Sequence, residues 1–305
     1  MMELLPKIGW TMLSLFVAIN YGFLINGIIR KVMARIQGRF GPPLWQPYID
    51  IGKLLFQRNS VSHGIMFWLG PVFRSVGGIG VFLLIPVVVG EPRLAGFSDT
   101  GDLLLVLYFM AFGSLGMALG AGEGGHPHSP IGISRGLSQM TAYELPFVLS
   151  LIAVVAHAGS FDINAIIASQ QGGVLHWNMF ANPFAFVAAF IALLGMNMYA
   201  PFNIVGAPTE IPVGPATEYQ NTYFSLMMIG RAAFAIAKMV LYINLFLGGA
   251  SSILDAVIKI FVIYFWTVFV GAVFPRFRTE QSVQFFLRWP TAFGVAGVAL
   301  TFWVR

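Results

Sequence analysis

The feature that most constrains this chain is a series of about eight apolar stretches, each long enough to cross a lipid bilayer as an α-helix. A hydrocarbon core of roughly 30 Å needs about 20 apolar residues in helical form, so few residues remain for a soluble domain. Hydrophobic residues make up 57% of the 305 residues and charged residues only 10%. The sequence therefore predicts an all-α, polytopic membrane protein in which residues 1–305 form a single membrane domain.

Hydropathy places the predicted spans as follows, with few charges inside each: Ile8–Ile29, Ile65–Gly90, Leu103–Gly120, Met140–His157, Phe184–Val205, Tyr223–Gly248, Ile253–Phe274 and Trp289–Val304. Most basic residues lie where spans end, in the first segment between spans (Arg30, Lys31, Arg35, Arg39, Lys53, Arg58) and in the last (Arg276, Arg278, Arg288). The positive-inside rule then predicts a cell-membrane protein with both segments in the cytoplasm and the N-terminus outside. Because the net charge of +5 is concentrated at span ends, it does not indicate nucleic-acid binding.

The chain contains no cysteine, which excludes thiolate-held iron–sulfur clusters, cysteine-ligated zinc and disulfides within it. Any electron transfer is therefore expected in partner chains. His126 and His128 flank Pro127 in a glycine-rich stretch, but no third ligand is evident, so we predict that they are unliganded. We expect no catalytic, cofactor-binding or metal-binding residue in this chain.

Four polar or broken segments separate the predicted spans. Pro43–Arg58 has apolar residues at helical spacing and predicts one amphipathic helix along the membrane surface. Ala121–Gly136 and Asp162–Asn178 are predicted as loops, the second with a short helix. Gly206–Asn221 is predicted as a structured cytoplasmic loop, because a continuous helix is improbable around three prolines: Pro208, Pro212 and Pro215.

One acidic residue lies inside a predicted span. Arg135, Gln139 and Tyr143 recur at four-residue intervals, which places them on one helix face, and Glu144 follows about two turns inside the span, at roughly 9 Å depth. A charge in hydrocarbon costs several kcal/mol, so we expect Glu144 to face a polar interior or a partner group. The alternative is a structural ion pair that holds the bundle together.

Two more carboxylates, Glu210 and Glu218, alternate with prolines in the predicted cytoplasmic loop. Fixed positions of this kind suit a lined cavity or a docking surface, although a solvated loop explains the pattern equally well.

Two cations lie inside the sixth predicted span, Arg231 and Lys238, seven residues apart and therefore on one helix face. Neither can easily extend to the membrane surface from there, so both are expected to be buried. We predict that they pair with the carboxylates described above and form a polar path through the bundle. Arg74, in the second predicted span, belongs to the same class.

The segment after the first span offers hydrogen-bond donors from Arg35, Gln37 and Arg39 within a turn bounded by glycine and proline. A basic segment at this place is most often an orientation signal and a lipid contact. The functional alternative is a docking site for a cytoplasmic subunit.

Three motifs together resemble a known family. They are RxQxRxGP followed by QPxxDxxKLL at Arg35–Leu55, RxxxQMxxYE at Arg135–Glu144, and APF followed by two glutamates and a tyrosine at Ala200–Tyr219. These segments resemble the membrane subunit that closes the quinone chamber of respiratory complex I and its homologue in membrane-bound hydrogenases. The similarity covers nearly the whole chain.

The resemblance implies a non-catalytic subunit of an oxidoreductase complex, placed between a soluble redox arm and ion-pumping, antiporter-like membrane subunits. Together with the burial argument, it marks six residues for proton relay or coupling: Glu144, Glu210, Glu218, Tyr219, Arg231 and Lys238. It marks six others for the interface with the soluble arm: Arg35, Gln37, Arg39, Asp50, Lys53 and Arg135.

The sequence departs from quinone-reducing members after APF, where usually acidic positions include Asn203, Gly206 and Pro208. With short termini and the two-histidine loop, this favours the hydrogenase branch: a ferredoxin-linked complex that moves protons or sodium ions. The implied partners are hydrogenase-like large and small subunits carrying iron–sulfur clusters and a [NiFe] centre. The alternatives are a quinone-binding subunit of a complex I relative, the same subunit of a sulfur-reducing relative, and a free-standing transporter, which the lack of internal repeats disfavours.

Overall fold

A computed structural model describes residues 4–58, 63–207, 210–211 and 213–304 of the chain. The α-helices are, in chain order, α1 (Leu4–Ile36), α2 (Gln46–Leu55), α3 (Ile65–Leu84), α4 (Leu103–Gly122), α5 (His128–Ala158), α6 (Ile163–Ala168), α7 (Asn178–Ala181), α8 (Pro183–Asn197), α9 (Asn221–Phe246), α10 (Ile253–Val273) and α11 (Thr279–Val304). Short 3₁₀ helices lie at Pro92–Leu94, Ser98–Thr100, Val174–His176 and Gly214–Ala216. These ranges contain no β-strand, which confirms the all-α prediction.

Seven of the described helices are long and apolar enough to cross a membrane: α1, α3, α4, α5, α9, α10 and α11. The helix α8 is apolar but has only 15 residues. The prediction of a polytopic membrane protein is confirmed. The predicted span Phe184–Val205 is too long, because α8 ends at Asn197, where Met198 takes a left-handed backbone conformation and Pro201 follows.

The predicted loop Ala121–Gly136 is wrong for most of its length. Helix α4 continues to Gly122 and α5 already begins at His128, which leaves a turn at residues 123–127. Pro127 is the N-cap of α5 and Pro130 lies in its first turn, where a missing N–H removes no helical hydrogen bond. Gly132 then packs against the 3₁₀ helix Gly214–Ala216, where an added Cβ would lie 2.7 Å from Pro215.

The predicted amphipathic helix is confirmed as α2, although it is shorter than Pro43–Arg58. Its Ile51 is buried against α9, while Tyr48 and Ile49 are exposed. Asp50 anchors α2 to α1 through an ion pair with Arg30 at 3.5 Å. The predicted outer segment Asp162–Asn178 contains α6 and a 3₁₀ turn, so the expected short helix is present.

The centre of the bundle is formed by α3 and α9. Small residues let α3 approach both of its neighbours closely: a Cβ on Gly77 would come 2.6 Å from the Cα of Gly113 in α4, and one on Gly78 would come 2.8 Å from Phe234 in α9. Helix α5 packs between α8 and α11. We call the end of the bundle that carries the 123–127 turn and the 198–220 segment the basic end; it also carries Arg35, Arg39, Arg135 and Arg276.

Candidate functional site

An intramembrane cavity of about 160 Å³ lies between α3, α4, α5, α8 and α9. Its polar lining consists of Arg74, Ser114, Tyr143, Glu144 and Lys238, and the rest is apolar. The space therefore brings cationic and anionic side chains together inside the bundle. Two of the predicted coupling residues, Glu144 and Lys238, and the additional candidate Arg74 line it.

Lys238 is held by the end of α8. Its side chain is only 4% exposed, and Nζ donates to the carbonyl oxygen of Met196 at 2.9 Å and to Oδ1 of Asn197 at 2.8 Å. The last carbonyls of a helix have no partner within the helix, and the helix dipole favours a cation at that place. Because α8 ends early, it supplies these acceptors at the cavity, where a longer helix would not.

The ring of Phe234 lies next to two cations. Nζ of Lys238 is 4.9 Å from the ring centroid, and the guanidinium carbon of Arg74 is 5.9 Å from it. Both distances are in the range of cation–π attraction, which offsets part of the repulsion between two positive charges near one ring. Phe234 and Lys238 are one helical turn apart on α9, so one face of this helix carries the arrangement.

Glu144 is half-buried and lines the same cavity. Since α5 begins at His128, Glu144 lies roughly 24 Å along the helix axis from the start of α5. Among the described residues, no cation lies within 4 Å of its carboxylate, so neither the predicted pairing with Lys238 nor a structural ion pair is formed. Glu144 is thus a carboxyl group without an ion-pair partner, at a cavity that two cations also line.

The structure does not bury Arg231. This side chain is exposed, and it makes no ion pair with a carboxylate within the described ranges, so the predictions of burial and pairing are wrong. Arg231 lies within electrostatic reach of Tyr199 and Tyr264, whose hydroxyls are 2.8 Å apart, and also of the cations Arg74 and Lys238. A proton-relay role for Arg231 stays a prediction.

Glu210 connects three parts of the basic end. Its carboxylate accepts from Arg135 of α5 at 2.7 Å and also from Arg276, in the turn before α11. The hydrogen bond from Arg135 and the positive charge of Arg276 hold the pKa of the Glu210 carboxyl below its usual range. Arg135, predicted for the interface with a soluble arm, is therefore engaged within the chain, while Glu210 itself remains half exposed.

Glu218 and Tyr219 contact residues at the start of α3 and not the arginines that bind Glu210. Oε2 of Glu218 is 3.2 Å from Nε2 of His63, just before this helix. The Tyr219 hydroxyl donates to the carbonyl oxygen of Phe67 at 3.0 Å, and the two rings stack with centroids 4.3 Å apart. Burial, together with the nearby carboxylates of Glu123 and Glu218, raises the pKa of the Tyr219 hydroxyl. The two loop carboxylates thus have different partners, arginines for Glu210 and a histidine for Glu218.

The predicted interface residues after α1 form an exposed turn. Arg35, Gln37 and Arg39 are all exposed, with Arg39 donating to Gln37 and Arg35 stacked 4.9 Å from the ring of Phe40. Lys53 is exposed on α2. These donors are accessible to another chain, whereas the paired Asp50 is part of the α1–α2 contact.

The two histidines of the 123–127 region interact with each other. Nδ1 of His126 accepts from the backbone N–H of His128 at 3.2 Å, and the rings are 4.7 Å apart. Over the ranges that the structure describes, no three His, Cys, Asp or Glu side chains are grouped to hold a metal ion.

Sequence reasoning missed Asn197, Arg276 and His63 as partners of the predicted residues. Asn197 lies inside an apolar stretch, and Arg276 was assigned only to membrane orientation. His63 lies outside every motif that carries the family resemblance. The one available signal was the run of Met198 to Pro201 after an apolar stretch, since a proline there marks a helix end that needs partners for its carbonyls.

Fold and cavity together define a class: a polytopic α-helical membrane protein with charged side chains of both signs around a space inside its bundle. A family model described as NADH dehydrogenase matches residues 8–302. The chain belongs to this NADH dehydrogenase family, which confirms the resemblance to the complex I membrane subunit.

Individual relatives agree with this assignment. A subunit of the NADH-quinone oxidoreductase of Protochlamydia amoebophila is 33% identical over 278 residues, covering 84% of this chain and 84% of the relative. The corresponding NADH-quinone oxidoreductase chain of Bacillus mycoides is 30% identical over 317 residues, covering 96% and 92%. A chain in the solved structure of the membrane-bound sulfane sulfur reductase, an archaeal respiratory membrane complex, matches with a TM-score of 0.89 at 31% identity, covering 97% of this chain and 99% of that one.

Proposed function

We propose that this chain is the membrane subunit that couples a soluble redox arm to ion-translocating subunits in a respiratory complex of the cell membrane. The observation that carries the proposal is the intramembrane cavity with Arg74, Glu144 and Lys238. Ionisable side chains are costly within a membrane and mark ion pathways and proton relays. A carboxyl group without an ion-pair partner, at a cavity that two cations also line, is a place where protonation changes the local charge.

The soluble arm in this proposal docks at the basic end. The exposed donors Arg35, Gln37, Arg39 and Lys53 suit carboxylates and carbonyl oxygens of a partner surface. Electron carriers, namely iron–sulfur clusters and a catalytic metal centre, belong to partner subunits in this proposal, because the chain has no cysteine to hold a cluster. Antiporter-like membrane subunits are the expected partners on the apolar flanks.

For the identity of the arm we propose a ferredoxin-linked [NiFe] hydrogenase. The support comes from Asn203 and Gly206, which are uncharged at usually acidic positions of quinone-reducing members of the resembled family. A sulfur-reducing arm is the second candidate, favoured by the match to the sulfane sulfur reductase chain over 99% of its length.

Purification of the intact complex tests the proposal. We expect antiporter-like and soluble redox subunits to co-purify, with reduced ferredoxin driving hydrogen evolution and ion movement in liposomes. Reduction of polysulfide instead of protons would select the second candidate. Turnover with quinone alone would refute the branch, and ion flux from the isolated chain would refute a coupling subunit. The proposed orientation, with the N-terminus outside, is checked by labelling a cysteine introduced at Lys7 with an impermeant reagent.

A further inference from the structure

A histidine and a glutamate meet at the start of α3. His63 precedes Gly64, the N-cap of α3, and its ring packs edge-on against Phe67 at 4.8 Å. Glu218 comes from the segment before α9 and places Oε2 at 3.2 Å from Nε2 of His63. These residues are far apart in the sequence, so the fold, and no local pattern, makes the pair.

The facing atoms of this pair are enclosed. Nε2 of His63 and Oε2 of Glu218 are shielded from solvent and lie 3.2 Å apart, and neither atom forms a hydrogen bond among the described residues. Enclosed polar atoms are normally hydrogen-bonded, so a proton held between these two atoms is the arrangement that satisfies both.

The rest of the imidazole is accessible. The His63 side chain is 26% exposed although Nε2 is enclosed, so other atoms of this side chain reach the accessible surface. The side chain therefore extends from the enclosed carboxylate to the accessible surface. Histidine is the side chain that can accept a proton at one ring nitrogen and release one from the other near neutral pH.

Glycines close the other side of the pair. A Cβ on Gly124 would clash with Oε2 of Glu218, and one on Gly125 would lie 3.9 Å from Cε1 of His63. The turn at residues 123–127 thus fits over the pair because Gly124 has no side chain, while Gly125 lies at ordinary contact distance.

Three further titratable groups surround the pair: Glu123, Tyr219 and His126. Glu123 accepts from the backbone N–H of Phe67 at 2.6 Å, at the positive end of the α3 dipole. Tyr219 stacks on Phe67 and lies within electrostatic reach of Glu123 and Glu218, and His126 follows the glycine turn. Since no arginine or lysine lies within 4 Å of Glu218 among the described residues, His63 is the neighbour that can neutralise this carboxylate.

We propose that His63 is the proton-exchange partner of Glu218, through which this carboxylate takes up and releases protons at the basic end. A hydronium ion gives a proton to Nδ1 and leaves as water, the Nε2–H bond breaks as its proton moves to Oε2, and a new O–H bond forms. The products are neutral imidazole, protonated at Nδ1, and neutral Glu218. The reverse steps return the proton to water. This inference rests on the proposed coupling role of Glu218.

The test compares His63→Gln with His176→Gln in the purified complex, reconstituted in liposomes. His176 lies in the exposed 3₁₀ turn at the opposite end and serves as the matched control. We expect His63→Gln to slow coupled ion movement about tenfold or more, as loss of a positioned proton-transfer group does. Added imidazole should restore the rate, and His176→Gln should behave like the wild type.

Two results would overturn the inference: a wild-type coupling rate in His63→Gln, or a loss that imidazole does not restore, which would mark a structural role. If His63→Gln fails to assemble with its partners, His63→Asn is read by the same criteria. The variant Glu218→Gln separates the two proposals. Normal coupling in Glu218→Gln removes the coupling role of Glu218, whereas impaired coupling there with normal coupling in His63→Gln removes only the exchange role of His63.

Discussion

Replacement of Lys238 by methionine tests the intramembrane cavity most directly. The side chain has a similar volume, so packing is largely kept, but the cation and its two hydrogen bonds to Met196 and Asn197 are lost. Each charge-assisted hydrogen bond contributes about 1.5–3 kcal/mol, or about 3–6 kcal/mol for the two. Removal of the lysine also removes the desolvation penalty of a buried ion, which is several kcal/mol.

These opposing effects nearly cancel in the free energy of unfolding. We therefore expect the complex to assemble in Lys238→Met and its melting temperature to change little. The net charge around the cavity falls by one, however, because one of the two cations that line it together with Glu144 has gone. We expect electron transfer to continue while the number of ions moved per electron falls severalfold.

A matched control exists in the same chain. Lys259 of α10 also binds helix-end carbonyls, donating to the carbonyl oxygens of Leu247 at 3.3 Å and Gly249 at 2.7 Å, but it does not line the cavity. The assay measures ion movement and electron transfer in liposomes for both variants. A wild-type ion ratio in Lys238→Met, or an equal loss in Lys259→Met, would refute the reasoning.

Two further predictions concern the ends and the seams of the bundle. Glu210→Gln should lower the melting temperature at neutral pH, because the pKa of the Glu210 carboxyl is depressed by its arginine partners. The stabilising effect of this carboxylate is present above the usual carboxyl range and is lost as pH falls through the depressed pKa. Calorimetry should therefore show the melting temperatures of wild type and variant converging in acid. Gly77→Ala should destabilise the α3–α4 contact by about 1–3 kcal/mol through the clash with Gly113 and reduce the yield of extracted protein, whereas Gly9→Ala, with open space around its Cβ, should not.

The outline of the fold follows from hydropathy, whereas the helix ends depend on local backbone chemistry. Length and apolarity were sufficient for the long spans, because lipid requires a continuous helix. The early end of α8 depends on Met198 and Pro201, and the early start of α5 on prolines that are harmless in a first turn. The hydropathy prediction continued the span through Pro201, whereas it interpreted the prolines at the start of α5 as part of a loop.

The sequence predicted which residues belong to the candidate site, but not which groups they contact. Glu144 and Lys238 were identified because charge is expensive in a span, and the structure places both at one cavity. Their hydrogen-bond partners were not predictable, since Lys238 is bound by a carbonyl oxygen and an asparagine amide rather than by a carboxylate. Arg231 shows the converse: its position within a span suggested burial, yet its side chain is exposed.

The early end of α8 has a mechanical consequence. The acceptors of Lys238 are in the last turn of this helix, and the peptide chain that leaves it continues to Glu210, which is fastened by arginines from two other parts of the basic end. The same stretch of the chain therefore carries the acceptors of the buried Lys238 and, further along, the surface carboxylate of Glu210. Because the acceptors of Lys238 belong to the end of α8, the position of this helix end also fixes the position of the buried cation.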